Sequence, residues 1–148
     1  MLKHQLTHPE LLRLLGQCGH GDRIAVVDSN YPATSRRNSS VPFLSLNITH
    51  GLVDTPTILR LIGQSLPIER ITYARPDADI PAGIERPVHK SFLQTRNEVF
   101  PNADVEQVTP LDFYTLTSEV GLVVMIGTGE RNHYGSAILT VGYLPELQ

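Results

Sequence analysis

The sequence predicts an α/β fold in which helices pack on a layered sheet, and two observations indicate this class. Continuous apolar runs of strand length, such as 24–27 and 122–126, alternate along the chain with segments whose apolar residues recur at helical spacing. Such alternation is typical of strands and helices that share one sheet. The 148 residues are enough to bury a core without disulfide or metal staples, and no internal repeat interrupts them. We therefore expect a single domain over 1–148.

The first half of the chain is predicted to contain two helices and three strands. These elements are, in order, a helix over 8–16, a strand over 24–27, an exposed loop over 29–42, a strand over 43–48, a helix that begins at Asp54 or Thr55, and a strand over 69–73. The first helix is expected to start at a capping box formed by Thr7 and Glu10. Asp28 closes the first strand, and Pro56 suits the first turn of the second helix.

The second half is predicted to begin with a surface loop and to end in strands. Its elements are, in order, a loop over 75–87, a helix over 89–100, a strand over 105–108, a short helix that starts at Thr109 and Pro110, a strand over 122–126, and a last strand over 137–141. The loop contains three prolines and is too polar for regular structure. The strand over 122–126 has the strongest apolar signal.

Charge and composition exclude several classes of partner. The net charge is -3, so the chain offers no broad basic field, and binding to nucleic acid or to an anionic membrane is not expected. The first residues lack the apolar region of a signal peptide, and no later stretch is long enough to cross a bilayer. Cys18 is the one cysteine and suits a reducing compartment. A cytoplasmic location is therefore expected.

Two glycine-framed stretches indicate a site for a small polar molecule. The first is Gly19-His20-Gly21-Asp22 with Asp28 beyond it, and the second is Thr128-Gly129-Glu130 with Tyr134-Gly135-Ser136. Glycines allow the backbone to approach a ligand closely. Asp28 lies at the carboxyl end of a predicted strand, where open α/β sheets bind ligands.

Each of these polar residues also has a structural interpretation. Asp28 can cap backbone amides in a loop, and His20 can be a solvated loop histidine. Asp22 can either orient the His20 imidazole or simply terminate the turn.

The common catalytic and cofactor motifs are absent from the sequence. There is no phosphate-binding glycine loop and no Gly-x-Ser-x-Gly elbow. His20, His50 and Asp28 match no recognised set of metal ligands. We therefore predict a site without metal or cofactor.

Several short blocks together resemble one known family. They are His8-Pro9-Glu10-Leu11-Leu12, Gly19-His20-Gly21-Asp22, Asp28, Tyr31-Pro32-Ala33, Phe113-Tyr114, Gly127-Thr128-Gly129-Glu130-Arg131 and Tyr134-Gly135. In these blocks the sequence resembles the fucose mutarotase and ribose pyranase family, and it is closer to the fucose branch. The resemblance covers both ends of the chain, whereas residues from about 35 to 105 match only in general α/β pattern.

The resemblance implies a fold, an assembly and a reaction. The fold is a three-layer α/β/α protomer with a mixed sheet, and the assembly is a homodecamer of two stacked pentameric rings with sugar sites at subunit boundaries. The reaction is the cofactor-free interconversion of anomers or ring forms of a free monosaccharide, most closely L-fucose. Ring opening needs one proton delivered to the ring oxygen and another removed from the anomeric hydroxyl.

The resemblance also implies roles for individual residues. His20 would be the principal general acid/base, because an imidazole both gives and accepts protons near neutral pH. Tyr114 would transfer a proton or contact the substrate. The expected sugar-binding residues are Asp28, Tyr134, Gly135 and Ser136, and the expected supporting residues are Asp22 and Glu130.

Three departures from the family pattern concern the substrate. Ser136 replaces the usual asparagine two residues after the tyrosine, and Pro110 stands where fucose and ribose members place arginine or histidine. The segment 48–51 replaces an Arg-Ala-Asp-Gly stretch. Two alternatives follow: a non-catalytic sugar-binding or regulatory ring, and an enzyme for another small carbonyl compound.

Overall fold

The computed structural model describes residues 1–76 and 86–147, so most of the loop predicted over 75–87 lies outside the described residues. The described elements are α1 (Pro9–Leu15), β1 (Arg23–Val27), α2 (Ala33–Arg36), β2 (Phe43–Ser45), α3 (Thr55–Gly63), β3 (Ile68–Ala74), α4 (Pro87–Val99), β4 (Asp104–Val108), α5 (Pro110–Ser118), β5 (Leu122–Gly127) and β6 (Ala137–Val141).

The strands form one mixed sheet. Its order is β2-β5-β1-β6-β3-β4, and β6 runs antiparallel to both of its neighbours, whereas the other neighbouring pairs are parallel. The carboxyl ends of β1, β3 and β5 therefore lie at the same edge as the first residue of β6. The expected α/β class with a mixed sheet is confirmed.

Successive side chains of β1 enter two separate cores. Ile24 and Val26 pack in a cluster with buried residues of α1, α3 and α4, whereas Ala25 and Val27 pack with Phe113 of α5. Both faces of the sheet are thus covered by helices, which explains why β1 is almost continuously apolar rather than alternating. The molecule has the three layers expected of an α/β/α protomer.

The helix starts agree with the sequence at α3 and α5 but differ at α1 and at α4, which begins at Pro87 inside the predicted loop rather than at residue 89. Asp54 caps α3, and Thr109 caps α5 by accepting a hydrogen bond from the Asp112 amide at 3.1 Å. The capping box predicted at Thr7 is wrong. His8 is the N-cap instead, and its Nδ1 accepts a hydrogen bond from the Leu11 amide at 3.2 Å. Because Pro9 starts the helix, Thr7 lies one residue too early to cap it.

Two predicted segments have different bounds. The loop over 29–42 contains the four-residue helix α2, where the Pro32 carbonyl accepts a hydrogen bond from the Arg36 amide at 3.0 Å. The strand predicted over 43–48 ends at Ser45, because its partner β5 ends at Gly127 opposite Ser45. An edge strand with one neighbour extends only as far as that neighbour.

The turn after β5 requires glycine at position 129. The Gly129 amide donates to the Val53 carbonyl at 2.7 Å, and the Gly129 carbonyl accepts from the Gly51 amide at 2.8 Å. An added Cβ at Gly129 would lie 2.6 Å from the Thr49 carbonyl oxygen. Two backbone segments thus meet here at a distance that excludes a side chain.

We expect Gly129→Ala to lower the free energy of unfolding by roughly 1–3 kcal/mol, because the loop that contacts Gly129 must shift. Urea denaturation measures this loss. Gly19→Ala is the matched control, since the nearest atom to a Cβ there is 3.8 Å away. Equal denaturation midpoints for the two variants would contradict the proposed steric constraint.

Candidate functional site

A cavity of about 270 Å³ opens at the edge of the sheet where β1 and β3 end and β6 begins. It is slightly smaller than the roughly 300–1,000 Å³ pockets of drug-sized ligands, so it suits a small molecule. Its polar lining is contributed by Asp28, Asn30, Tyr31, Tyr114, His133, Tyr134 and Ser136. Pro110 and Phe113 are among its apolar residues.

Asp28 and Ser136 form the fixed polar floor of this cavity. The Ser136 hydroxyl donates to Asp28 Oδ2 at 2.6 Å and accepts from the Asp28 amide at 2.9 Å. The other carboxylate oxygen accepts from the Asn30 amide at 2.9 Å. Each carboxylate oxygen retains acceptor capacity, so Asp28 can still accept hydrogen bonds from ligand hydroxyls.

The turn between β5 and β6 is held by buried polar side chains. Thr128 donates its hydroxyl to the Val27 carbonyl at 2.9 Å. The buried Glu130 carboxylate accepts from the Asn132 amide at 2.9 Å and from its side-chain amide at 2.7 Å. The Ser29 amide and hydroxyl both donate to the Glu130 carbonyl. Glu130 therefore fixes the shape of the turn rather than lining the cavity.

Tyr134 enters the cavity from a left-handed backbone conformation. Its φ is 61°, and it is the one non-glycine residue with positive φ in ranges 1–76 and 86–147. For a residue with a side chain this conformation costs about 1–2 kcal/mol. The Arg86 guanidinium lies 5.0 Å from the centre of the Tyr134 ring.

Tyr114 and Tyr31 lie side by side but differ in their hydroxyl partners. The two ring centres are 5.6 Å apart. Thr117 donates to the Tyr114 carbonyl, so the Tyr31 hydroxyl is the donor in its 2.5 Å contact with Thr117 Oγ1. Burial raises the pKa of Tyr31. The Tyr31 hydroxyl proton is thus already used in a hydrogen bond within the protein.

Tyr114 lines the cavity, and its hydroxyl makes no hydrogen bond among the described residues. The Arg36 guanidinium lies over the face of the Tyr114 ring, 4.9 Å from its centre. Of the two neighbouring tyrosines, Tyr114 is therefore the one that can exchange a proton with a ligand.

His20 lies at the opposite edge of the sheet from this cavity. It precedes β1, whereas Asp28 follows β1, so five residues and roughly 17 Å of strand separate the two ends. His20 Nε2 is 2.8 Å from Glu69 Oε2, and the ring contacts Tyr143 edge-on at 5.3 Å between centres. Its side chain is 57% exposed, so the imidazole faces outward from the protomer.

Asp22 does not orient the His20 ring. Its Oδ2 accepts a hydrogen bond from the Gly19 amide at 2.7 Å and so closes the turn. The carboxylate that holds the imidazole is Glu69, at the start of β3. Of the two interpretations of Asp22, its contacts agree with that of a residue that terminates the turn.

Comparison with known proteins gives the family. Residues 1–144 match the model of the RbsD / FucU transport protein family. The chain belongs to the RbsD/FucU family. The family resemblance found in the sequence is thereby confirmed.

Relatives of this RbsD/FucU chain come from both branches. It is 26% identical over 144 residues to D-ribose pyranase of Bacillus licheniformis, an alignment that covers 97% of this chain and 99% of the relative. It is 27% identical over 144 residues to fucose mutarotase of Danio rerio, with coverages of 93% and 89%. The structure of Bacillus subtilis RbsD complexed with D-ribose superposes with a TM-score of 0.76 at 24% identity, covering 97% of this chain and 99% of that one. The two curated relatives are about equally distant.

The structure of this RbsD/FucU chain adds residues that no motif marks. Asn30 and His133 line the cavity, and Glu69 holds His20. Glu69 is 49 positions from His20 in the sequence, and the two meet because β1 and β3 run in the same direction on either side of β6, so that their first residues lie at the same edge of the sheet. The position of His133 directly before Tyr134 is the one sequence signal that could have indicated it. A polar residue in a turn is, however, equally typical of a solvated side chain.

Other reactive groups lie outside the site of this RbsD/FucU chain. Burial raises the pKa of the Cys18 thiol to about 11, so at neutral pH it stays protonated and is a poor nucleophile. Within the described parts of the chain, no three His, Cys, Asp or Glu side chains are grouped to hold a metal ion. None of the helices in those parts has the length and apolar character needed to span a membrane.

We expect Ser136→Ala to lower the free energy of unfolding by about 1–3 kcal/mol, because the Asp28 amide and carboxylate lose their shared partner. Ser29→Ala is the matched control. It removes a hydroxyl that donates to the Glu130 carbonyl at 2.7 Å, but the Ser29 amide still donates to the same oxygen at 2.9 Å. A smaller loss is expected for the control, and equal losses in urea denaturation would contradict the role assigned to Ser136.

Proposed function

We propose that this protein is a cofactor-free monosaccharide mutarotase that interconverts anomers or ring forms of a free sugar, with L-fucose or a related sugar as its substrate. The observation that carries the proposal is the cavity at the strand ends. There, a carboxylate fixed by two hydrogen bonds, Asp28, shares one small pocket with the Tyr114 hydroxyl. Full-length similarity to both ribose pyranase and fucose mutarotase supports the reaction class.

The proposed reaction consists of two coupled proton transfers. An acid donates a proton to the ring oxygen while a base removes the proton of the anomeric hydroxyl, and the ring C–O bond breaks to give the open carbonyl form. Rotation of the carbonyl and reversal of both transfers closes the ring as the other anomer. Positioned acid and base groups typically accelerate such steps by about 10²–10⁴-fold.

The residues in the cavity divide between holding the sugar and moving protons. Asp28 accepts hydrogen bonds from sugar hydroxyls, and Tyr114 supplies a hydroxyl for proton transfer or substrate contact. Tyr134 and Ser136 line the cavity from the turn before β6, and Gly135 between them completes the proposed sugar-binding turn. Glu130 acts indirectly by fixing the shape of that turn.

We place His20 of a second copy of the chain at this cavity, as its principal general acid/base. Within one protomer a full strand separates His20 from Asp28. Its imidazole is exposed and already oriented by Glu69. Tyr143, which contacts the His20 ring, and Leu144, which follows Tyr143 in the sequence, are 72% and 77% exposed, and this suits an interface with another copy. A homo-oligomer, proposed as a decamer of two pentameric rings, would supply this contact.

Two departures from the family pattern lie in the pocket itself. Pro110 lines it with an apolar ring where family members have arginine or histidine, and Ser136 gives its hydroxyl to Asp28. We expect these two positions to determine which sugar the pocket accepts. The same loss of polar contacts favours a second candidate function, a ring that binds sugar without catalysis.

Saturation-transfer NMR on L-fucose, D-ribose and related free sugars tests the reaction. We expect faster anomeric exchange with at least one sugar, and a loss of about 10²–10⁴-fold in Tyr114→Phe and His20→Ala, as for removal of an acid or base. His4→Ala is the matched histidine control, because among the described residues the His4 ring hydrogen-bonds only to the nearby Leu6 carbonyl. Exchange with no sugar would reject the proposal. Thermal stabilisation by a sugar without faster exchange would favour the non-catalytic ring.

Mixed oligomers test whether His20 acts across the subunit boundary. When His20→Ala and Asp28→Ala chains are co-expressed in equal amounts, about one quarter of the sites would combine an intact His20 with an intact Asp28. We therefore expect partial recovery of exchange in doubly tagged, tandem-purified oligomers.

The control pairs two residues of the same pocket. Asp28→Ala and Tyr114→Phe chains should not complement each other, because both side chains come from one protomer. If the His20 and Asp28 pair recovers no activity and His133→Ala is inactive, the general acid/base is instead His133 of the protomer that forms the cavity.

A further inference from the structure

His89 is a buried histidine outside the cavity and outside every motif of the sequence analysis. It lies in the first turn of α4 and is 2% exposed. Its ring packs against Tyr73, with 4.6 Å between centres, and against Phe92, with 5.8 Å. A polar ring buried among aromatic side chains requires a hydrogen-bond partner.

One partner of His89 is the backbone of Tyr134. His89 Nε2 lies 3.0 Å from the Tyr134 carbonyl oxygen. Because a carbonyl oxygen only accepts, Nε2 carries the proton and donates it. The contact joins residues 45 positions apart and links α4 to the turn that forms one wall of the cavity.

Tyr134 needs such a contact because of its left-handed backbone, with φ at 61°. The following peptide is held as well, since the buried Thr55 hydroxyl donates to the Gly135 carbonyl at 2.6 Å. Two successive carbonyls of the turn are thus each bound by a buried side chain. Arg86, the N-cap residue of α4, covers the Tyr134 ring.

We propose that His89 is a positioning residue that fixes the Tyr134 backbone and thereby the direction in which the Tyr134 ring enters the sugar site. His89 acts through Tyr134 and does not line the cavity. The inference rests on the proposed function only where it treats Tyr134 as a sugar contact. The start of α4 then helps to set the affinity for sugar from outside the pocket.

Two substitutions at His89 separate the hydrogen bond from the packing. His89→Leu fills the aromatic cluster but leaves the Tyr134 carbonyl without this donor, whereas His89→Gln offers an amide donor. Phe92→Leu is the matched control, because it alters the same cluster and keeps the His89 side chain. All three variants are compared with the wild-type chain by sugar exchange NMR over a range of sugar concentrations.

We expect KM for the sugar to rise about tenfold in His89→Leu with kcat changed much less, because a binding contact is misplaced rather than a proton-transfer group removed. His89→Gln should recover part of this affinity, and Phe92→Leu should keep KM near the wild-type value while lowering the unfolding midpoint. A His89→Leu variant with KM no higher than that of Phe92→Leu would overturn the proposal.

A second readout does not depend on catalysis. In chains with isotope-labelled tyrosines, the Tyr134 ring resonances are assigned by Tyr134→Phe. They should shift or broaden in His89→Leu and stay near their wild-type positions in Phe92→Leu. Unchanged Tyr134 resonances in His89→Leu would overturn the positioning role. If the wild-type chain exchanges no sugar, the proposed function fails, and these resonances still decide the role of His89.

Discussion

The antiparallel placement of β6 between β1 and β3 is the constraint on which both polar regions of the molecule depend. At its start, β6 brings Ser136 against Asp28, where the hydroxyl bonds both the amide and the carboxylate. At its end, the Val141 carbonyl accepts from the Gly21 amide at 2.8 Å and so anchors the turn that carries His20. In an all-parallel sheet the turn before β6 would lie at the other edge, away from Asp28. One strand therefore fixes the cavity at one edge and the imidazole at the other.

The cavity has a rigid polar frame and an apolar wall. Buried Thr55, Thr128 and Glu130 bind backbone groups of the strand ends and of the turn before β6, so these buried polar side chains have partners. A small ligand in such a frame would bind at a low entropic cost, because the side chains around it are already fixed. Pro110 occupies the first turn of α5, where its missing amide hydrogen costs little, and it presents only carbon to the pocket.

The sequence predicts the fold well wherever local signals are strong. The last strand over 137–141 and the caps at Asp54 and Thr109 follow from apolar runs and from side chains that accept backbone hydrogen bonds. Helix α2 is missed because its four residues hold no apolar periodicity. Of the predicted site, the cavity brings together Asp28, Tyr114, Tyr134 and Ser136. The partners Glu69 and His89 are missed because strand order and side-chain direction, rather than any local pattern, create their contacts.

His20 and Asp28 are close in the sequence but not in the structure. Both belong to the first glycine-framed stretch, yet they lie at opposite ends of β1. The intervening β1 is paired on both sides, with β5 and with β6, and is buried on both faces. Moving His20 to the cavity of its own protomer would require β1 to leave the centre of the sheet, with the loss of most of the core. No local rearrangement is of that size. If His20 takes part in chemistry at this cavity, it therefore does so from another copy of the chain.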